Sequence, residues 1–334
     1  MKTPLKISVV IPAYNGEQFI AETLDSVLNQ SHKPDQLAVI IDESHDKTEE
    51  IVRGYSEKIE IYHNSPATGF VDAWNRAIGK AKYPWICLLH QDDLLHPQFL
   101  EKAVLALEAN PDFRYIYGPC NYIDEKSRVV KEPNLQVLPK EEWTRKKGEE
   151  YAFSYLVDKI HRCPGVLAHQ EVFTRFPFRK EPGLVADNDF FLRVASAFDV
   201  LQLNFCVASF RHSASSATHS YRNLDWSMFT EYSWMLDDYE KSGVIEKLPF
   251  IDEVFFQYIV KHGFRGLIQD CRINGFGENY KTKVQELRRF GKNNIHRFRQ
   301  YKTSTLQRIF FAVRFPNVCL AWLTKLILCV SRLK

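Results

Sequence analysis

Short hydrophobic runs alternate with amphipathic segments along the first 120 residues of the chain. Apolar runs typical of buried strands occur at 7–11, 37–41, 59–62, 85–89 and 115–117. Segments with apolar residues at helical spacing lie between them, at 17–29, 48–55, 69–81 and from Pro97 to about Leu107. This alternation predicts an α/β protein whose mostly parallel central sheet is flanked by helices. In such sheets, ligands bind beyond the carboxyl ends of the strands.

The pattern changes after residue 120. Residues 121–165 are irregular and polar, and we interpret them as an insertion beside the site. A helical pattern returns at 187–198, and from about Asn223 onward the chain is helical and rich in aromatic residues. We therefore predict an α/β domain over 1–220 and a helical C-terminal region over 221–334.

Charge is distributed unevenly between these parts. Residues 265–334 carry 15 Lys and Arg against 3 Asp and Glu, whereas the whole chain carries 44 against 41. A basic tail on an acidic body indicates an anionic partner, either a membrane surface or nucleic acid. The apolar residues 306–334 contain an uncharged run of only 10 residues (315–324), which is too short to span a bilayer. We expect an amphipathic helix on a membrane surface there, with a core or oligomer-contact helix and a true span as alternatives.

Cysteine usage and the missing motifs narrow the class of protein further. The seven scattered cysteines form no Cys-x-x-Cys pair, which favours reduced thiols in the cytoplasm over disulfides or a zinc site. The first apolar run stops at Pro12 and is too short for a signal peptide. The chain contains no G-x-G-x-x-G, G-x-x-x-x-G-K-[ST], H-E-x-x-H or G-x-S-x-G motif. We therefore expect the chemistry in carboxylates at the strand ends.

Polar side chains follow three of the predicted strands. Residues 12–15, Pro-Ala-Tyr-Asn, offer a stacking face and an amide, although they also suit a simple turn. Asp42, after the second strand, is placed to accept hydrogen bonds from a ribose or a base, and Asp46 is expected to cap a helix. Residues 90–93, His-Gln-Asp-Asp, follow the fourth strand. Two adjacent carboxylates repel each other unless a cation compensates, so Mg²⁺ or Mn²⁺ holding a diphosphate is expected, with a helix cap as the alternative.

Five segments in this order resemble the inverting family 2 glycosyltransferases with a GT-A fold, of the bacterial surface-polysaccharide type. Residues 7–15 (ISVVIPAYN) and 37–48 (LAVIIDESHDKT) resemble the family's first two strand ends. Residues 69–82 (GFVDAWNRAIGKAK) resemble its next helix, and 86–97 (ICLLHQDDLLHP) its metal-binding D-x-D strand end. Residues 186–194 (ADNDFFLRV) resemble the helix start that carries the general base. The likeness covers roughly residues 5–215.

The resemblance implies transfer of a sugar from a nucleotide-sugar donor, UDP or dTDP by expectation, to a hydroxyl of a glycan or lipid-linked acceptor. Asp187 is the implied general base, and the chemistry agrees, since inverting transfer needs a carboxylate to take the acceptor's proton. The expected nucleotide contacts are Pro12, Ala13, Tyr14, Asn15, Glu17, Asp42, Asn75 and Gln91. Mn²⁺ or Mg²⁺ is expected on Asp92, His90 and His212. The expected sugar or acceptor contacts are Asp93, Gly165 and Asp189.

The same resemblance places the reaction in cell-envelope polysaccharide assembly at the inner membrane face, without nucleic acid. Residues 163–165, Cys-Pro-Gly, resemble the loop that shapes the acceptor pocket. Asp187 and Asp189 are two apart at a helix start, so one is expected to face the cleft and the other to cap the helix. Arg193 is expected to form an ion pair.

Three positions depart from the family's motifs. Ile41 replaces the first aspartate of the second-strand motif, Trp74 replaces an arginine before Asn75, and His90 replaces the first D-x-D aspartate. These departures keep a catalytically degenerate, nucleotide-sugar-binding homologue as the alternative. A nucleotidyltransferase would need a basic triphosphate loop after the first strand, and residues 13–17 contain no basic residue.

Overall fold

The computed structural model describes residues 4–67, 69–133, 135, 138–158, 162–213, 224–275 and 277–300. These residues form two compact units, one of 4–180 with 186–213 and one of 224–300 with 181–185. No helix within the described ranges combines the length and the apolar character needed to cross a membrane. The tail 306–334, predicted to lie on a membrane surface, falls outside the described residues.

The first unit alternates strands and helices as the hydrophobic pattern predicts. Its first half contains β1 (Ile7–Ala13), α1 (Ile20–Leu28), β2 (Gln36–Ile41), α2 (Thr48–Arg53), β3 (Glu60–His63), α3 (Phe70–Ile78), β4 (Trp85–Leu88), β5 (Leu94–Leu95) and α4 (Phe99–Ala109). Its second half contains β6 (Tyr115–Tyr117), β7 (Cys120–Ile123), β8 (Val129–Lys131), β9 (Trp143–Lys146), α5 (Gly148–Phe153), β10 (Val166–His169), α6 (Gln170–Arg175), α7 (Ala186–Ala195), β11 (Val200–Leu203) and β12 (Ala208–Arg211).

The main sheet has eight strands in the order β3-β2-β1-β4-β10-β6-β11-β9. The first four strands run parallel, and in the centre Val9 pairs with Leu37 on one side and Cys87 on the other. β10 is antiparallel to both neighbours, β11 is parallel to β6, and β9 closes the edge antiparallel to β11. All seven residues of β1 are buried, as expected for a hydrophobic strand that is covered on both faces. The predicted α/β class with a mostly parallel sheet is confirmed.

A second sheet, β5-β12-β7-β8, takes two of its strands, β7 and β8, from the region predicted to be irregular. Residues 121–165 contain β8, β9, α5 and most of β7, so the prediction that this insertion is irregular was wrong. Its strands are only three or four residues long and β8 is wholly exposed, so no hydrophobic alternation marks them. This sheet matters for the site because β12 pairs with β5, directly after the acidic pair of residues 92–93.

The second unit is helical, with α8 (Leu224–Ser242), α9 (Val244–Lys247), α10 (Phe250–Asn274), α11 (Glu278–Asn293) and α12 (Ile295–Gln300). Aromatic rings fill its core: Tyr239 stacks on Phe255 at 5.8 Å, and Phe256 on Phe290 at 6.2 Å. The predicted C-terminal helices are therefore present.

Candidate active site

The loop after β1 is held to the end of β4 by one side chain. Gln91 accepts a hydrogen bond from the Tyr14 N–H (2.7 Å) and donates its amide to the Tyr14 carbonyl (2.9 Å). A Cβ at Gly16 would lie 2.3 Å from Gln91 Oε1, so any larger residue there would displace the Gln91 amide. The Gln91 side chain therefore positions the loop, and the Tyr14 ring stays 48% exposed above it.

The loops after β1 and β2 exchange hydrogen bonds in both directions. The Asn15 N–H donates to Ser44 Oγ (3.1 Å), and Asn15 Oδ1 accepts the backbone N–H that follows Ser44 (2.8 Å). The Glu17 N–H donates to Asp46 Oδ2 (3.0 Å), and Glu17 Oε2 accepts the N–H that follows Asp46 (3.0 Å). Asn15 sits at φ 48°, a left-handed conformation that asparagine tolerates better than most residues. Asn15 and Glu17, both predicted nucleotide contacts, thus form hydrogen bonds with the loop after β2.

Asp42 and its neighbours complete this edge of the sheet. Asp42 is buried, its N–H donates to the Ala13 carbonyl (2.8 Å), and its Oδ1 accepts the Asn64 amide (3.0 Å). Pro12 and Ala13 lie inside β1 with buried side chains, so only their backbone could face a ligand. Asp46 accepts the Thr48 N–H (3.0 Å) just before α2, although the N-cap position itself is Lys47, which makes no side-chain capping bond.

The strand end after β4 concentrates negative charge in a dry environment. Burial raises the pKa of Asp92, and burial together with the charge of Asp92 raises the pKa of Asp93 well above its ordinary value. Asp93 Oδ2 and His90 Nε2 are both buried and have no hydrogen-bond partner among the described residues. The nearest approach between the two side chains joins His90 Nδ1 and Asp93 Oδ2 at 3.7 Å. Such an acidic pair is stabilised by a cation.

A buried arginine, to which the sequence analysis assigned no role, holds this strand end in place. The side chain of Arg211 is 0% exposed, and its Nε donates to the Asp92 carbonyl (2.8 Å), while its backbone N–H donates to Asp93 Oδ1 (2.9 Å). Its terminal groups reach the Asp124 carbonyl (2.8 Å) and Glu22 Oε2 (2.7 Å). Arg211 thereby ties the acidic pair to α1 and to the β7–β8 hairpin.

Two of the three departures from the family's motifs contact each other. The Trp74 and His90 rings stack with centroids 4.8 Å apart and planes 16° apart. Phe70 and Phe178 meet the Trp74 ring edgewise, each at 5.0 Å. Burial lowers the pKa of His90 to about 4, so its imidazole is neutral at pH 7. A neutral aromatic pair therefore stands where the family has a cation and a carboxylate.

The two aspartates of α7 have opposite environments. Asp187 is half-buried, its Oδ1 accepts the Asn188 N–H (2.8 Å), and burial raises its pKa. Asp189 is 0% exposed and pairs with Arg179 (2.5 Å) and with Arg193 (2.8 Å). The ion pair expected for Arg193 is confirmed. Asp189 is neither a helix cap nor open to a sugar, because two guanidinium groups occupy its carboxylate.

Three further predicted contacts have structural partners. Asn75 uses both ends of its amide on the Phe178 backbone, donating to the carbonyl (2.9 Å) and accepting the N–H (3.0 Å). Gly165 has φ 83°, and a Cβ there would meet the Val207 side chain at 2.5 Å. His212 is exposed just after β12, and its N–H donates to the Ile123 carbonyl (2.9 Å).

The three predicted metal ligands do not converge. No group of three or more His, Cys, Asp or Glu side chains within the described ranges could hold a metal ion. His90 is turned onto Trp74, and His212 lies exposed beyond β12. Mg²⁺ sites, however, commonly use one or two carboxylates together with substrate phosphates. Asp92 and the unpartnered oxygen of Asp93 suit a cation of that kind.

One thiol connects the acidic pair with α7. Burial raises the pKa of Cys163 well above its ordinary value, and the negative charges of Asp187 and Asp93 raise it further. Cys163 therefore lies within electrostatic reach of both carboxylates. The predicted general base and the predicted cation site border one region of the first unit.

Comparison with solved structures defines the class of this fold. The chain superimposes on S. aureus TarS (residues 1–349, in complex with UDP) with a TM-score of 0.61, 18% identity, and coverage of 93% of this chain and 87% of that one. It also matches the mannosyltransferase PcManGT from Pyrobaculum calidifontis, in complex with GDP-Man and Mn²⁺, with a TM-score of 0.53, 16% identity, and coverage of 94% and 87%. The fold is that of the GT-A glycosyltransferases.

Sequence comparison then gives the family. Through residues 8–173, which match the model of Glycosyl transferase family 2, the chain belongs to that family. An uncharacterized glycosyltransferase of Rickettsia typhi is 31% identical over 159 residues, which are 47% of this chain and 48% of that protein. Another, from Methanocaldococcus jannaschii, is 26% identical over 210 residues, 60% of this chain and 69% of that protein. The chain thus spans about half the length of the Rickettsia relative it matches.

Proposed function

We propose that this chain is an inverting glycosyltransferase that moves a sugar from a nucleotide-sugar donor to an acceptor hydroxyl, with Asp187 as the general base. The observation that carries the proposal is the acidic strand end after β4, where Asp93 Oδ2 is buried without a hydrogen-bond partner among the described residues and suits a cation that holds a diphosphate. A base and a diphosphate-binding strand end must border one cavity for a direct displacement. The family membership of residues 8–173 supports the same chemistry.

In this proposal Asp187 removes the proton from the acceptor hydroxyl as that oxygen attacks the anomeric carbon, opposite the departing diphosphate. A raised pKa strengthens Asp187 as a base, because the carboxylate then binds a proton more tightly than an ordinary aspartate. When bound, Mn²⁺ or Mg²⁺ neutralises the negative charge that develops on the leaving diphosphate. Asp92 and Asp93 would hold it, and Arg211 keeps both aspartates in place.

The donor's nucleotide is proposed to lie on the edge formed by the β1 and β2 loops. The exposed Tyr14 ring offers a stacking face for a base, and Asp42 stands at the end of the adjacent strand. A uracil or thymine nucleotide remains our proposal. The acceptor is proposed to be a glycan or lipid-linked glycan at the inner membrane face, since anionic lipids attract the basic residues of 265–334.

The first test is a thermal-shift series on the full chain with UDP, dTDP, GDP and CMP, each with and without Mn²⁺. A nucleotide at about 100 times its dissociation constant stabilises the folded protein by ~2.7 kcal/mol. We expect a metal-dependent shift with UDP or dTDP. No shift with any of the nucleotides would contradict the proposal, and would favour a degenerate homologue altered by the Trp74–His90 pair.

The second test separates catalysis from binding. Asp187→Asn keeps the shape of the side chain but removes its basicity, so we expect transfer to be lost while the nucleotide shift is retained. Asp112→Asn is the matched control, because Asp112 is an exposed aspartate between α4 and β6. Undiminished transfer by Asp187→Asn would show that another group is the base.

A further inference from the structure

A column of stacked and edge-on aromatic rings runs from the acidic strand end to α7. The His90 ring stacks on Trp74 with centroids 4.8 Å apart, and the Trp74 ring meets Phe178 edgewise at 5.0 Å. The Phe178 ring stacks in turn on Phe190 of α7, with centroids 4.3 Å apart and planes 23° apart. His90 Nδ1 lies 3.7 Å from Asp93 Oδ2, so the column begins beside the acidic pair. It ends on the helix that carries the proposed general base.

Residues 177–180, here called the strap, are held to α3 by polar contacts as well as by this ring contact. The Asn75 amide donates to the Phe178 carbonyl (2.9 Å) and accepts the Phe178 N–H (3.0 Å). Lys180, the last residue of the strap, pairs with Asp72 (2.7 Å). Asp72 and Asn75 both belong to α3, so the polar contacts and the ring contact join the same two elements.

The other side of the strap is fixed to α7. Arg179 pairs with the buried carboxylate of Asp189 (2.5 Å), and Arg193 donates to the Pro177 carbonyl (2.7 Å). Asp189 and Arg193 follow Asp187 on the same helix. Closely packed groups transmit displacement to one another, so a shift of α3 is passed through the strap to the start of α7.

Trp74 connects this assembly to the acidic strand end. Stacked and edge-to-face ring pairs have preferred separations and orientations, so the two contacts of Trp74 define how far α3 lies from His90 and from the strap. A direct displacement requires the base and the leaving group to lie on opposite sides of the reacting carbon. An error of ~1 Å in such an alignment can cost about 100-fold in rate.

We propose that Trp74 and Phe178 are positioning residues, which hold α7 and Asp187 at a set distance from the strand end that binds the donor diphosphate. They act through Asp187 and not on the substrate itself. The Trp74–His90 stack makes this connection with neutral rings and buries no charge. The inference rests on the proposed function, because the spacing matters only if Asp187 and the strand end act on the same sugar.

Hydrogen exchange of the full chain, measured by mass spectrometry with and without UDP and Mn²⁺, tests this connection. A ligand slows exchange in every segment whose opening disrupts its site, by ~100-fold at about 100 times its dissociation constant when the coupling is complete. In the wild-type chain we expect UDP and Mn²⁺ to slow exchange about 10-fold or more in residues 90–93, in the strap and in α7. Trp74→Leu should abolish the slowing in the strap and in α7 and retain it in residues 90–93, because α7 then opens independently of the strand end.

Phe178→Leu should have the same effect, since it removes the same contact from the side of the strap. Trp74→Phe keeps an aromatic ring and should restore part of the slowing in α7. In the transfer assay Trp74→Leu should lower kcat about 10-fold or more and leave the donor KM nearly unchanged, because the base is displaced while the donor still binds.

Trp143→Leu is the matched control. Trp143 is also partly buried, but it lies on β9, which three strands of the main sheet separate from β4. Retained slowing in α7 in both Trp74→Leu and Phe178→Leu, or a fall in kcat no larger than that of Trp143→Leu, would overturn the inference. If Trp74→Leu fails to fold, Phe178→Leu decides between these results. No response of exchange to UDP, dTDP, GDP or CMP would overturn the proposed function, whereas a response that stops at residues 90–93 in the wild-type chain would overturn the positioning role alone.

Discussion

Replacement of Arg211 by methionine tests whether the acidic strand end depends on a buried cation. Arg211→Met keeps most of the side-chain volume but removes the guanidinium, which is 0% exposed. The change leaves the backbone carbonyls of Asp92 and Asp124 without the hydrogen bonds that Arg211 donates to them, each of 2.8 Å. It also removes the contact of the guanidinium with the Phe19 ring, at 4.4 Å.

The expected magnitude follows from these partners. Each buried carbonyl left unsatisfied costs about 1–3 kcal/mol. The ion pair with Glu22 adds little, because Glu22 is 44% exposed and returns to water. We therefore expect Arg211→Met to lower the free energy of unfolding by ~2–6 kcal/mol, the combined cost of two carbonyls that lose their donor. We also expect the nucleotide shift to lose its dependence on Mn²⁺, because the acidic pair loses its anchor.

Urea unfolding of the full chain, followed by circular dichroism, measures the first effect. Arg128→Met is the control, because Arg128 pairs with the side chain of the same Asp124 yet is 72% exposed. That pair should contribute less than about 1 kcal/mol. A loss below about 1.5 kcal/mol for Arg211→Met, or equal losses for both variants, would refute the role assigned to Arg211.

Three further predictions concern the other groups of the site. The rate of transfer should fall as the pH drops through the pKa of Asp187, because only the ionised carboxylate accepts a proton. Burial raises this pKa above the ordinary value of 3.8. A pH–rate profile that stays flat down to pH ~4 would contradict this prediction. Asp189→Asn should lower the unfolding free energy by ~3–5 kcal/mol in urea, because the buried Arg193 and the partly exposed Arg179 lose their buried counter-charge. A loss under about 1 kcal/mol would mean that solvent reaches both guanidinium groups. Gly16→Ala should displace Gln91, cost about 1–2 kcal/mol and weaken the nucleotide shift. Gly79→Ala should leave both unchanged, because Gly79 is in the right-handed helical conformation and a Cβ there would meet no atom nearer than 3.4 Å.

The sequence allowed the framework of the first unit to be predicted, because its central strands are buried on both faces and appear as unbroken apolar runs. β1 and β2 lie where the runs at 7–11 and 37–41 predict them. The strands of the second sheet could not be found in this way, because β8 and its neighbours are short and partly charged. Their pairing is decided by partners distant in sequence, such as β12 for β7.

Residue types predicted which strand ends carry the candidate site but not the partner of each side chain. Asn75 and Asp189 are residue types that often contact ligands. In this structure the Asn75 amide instead bonds to the Phe178 backbone, and the Asp189 carboxylate pairs with Arg193. The residue types favour His212 as a site residue over the neighbouring Arg211, because histidine is a common metal ligand. An arginine at the end of the short strand 208–211, next to a polar turn, was the available signal, but only the fold reveals that five groups converge on it.

The exchange of hydrogen bonds between residues 15–17 and 44–48 also restricts how this protein can change during evolution. Side chains of each loop satisfy backbone groups of the other, so a substitution in one loop leaves a donor or acceptor unpaired in its neighbour. Residues joined in this way show interaction energies of about 0.5–3 kcal/mol rather than additive effects. A lineage that changed its nucleotide preference through these two loops would therefore have to replace residues in both loops together. A single substitution in either loop would destabilise the protein and be selected against.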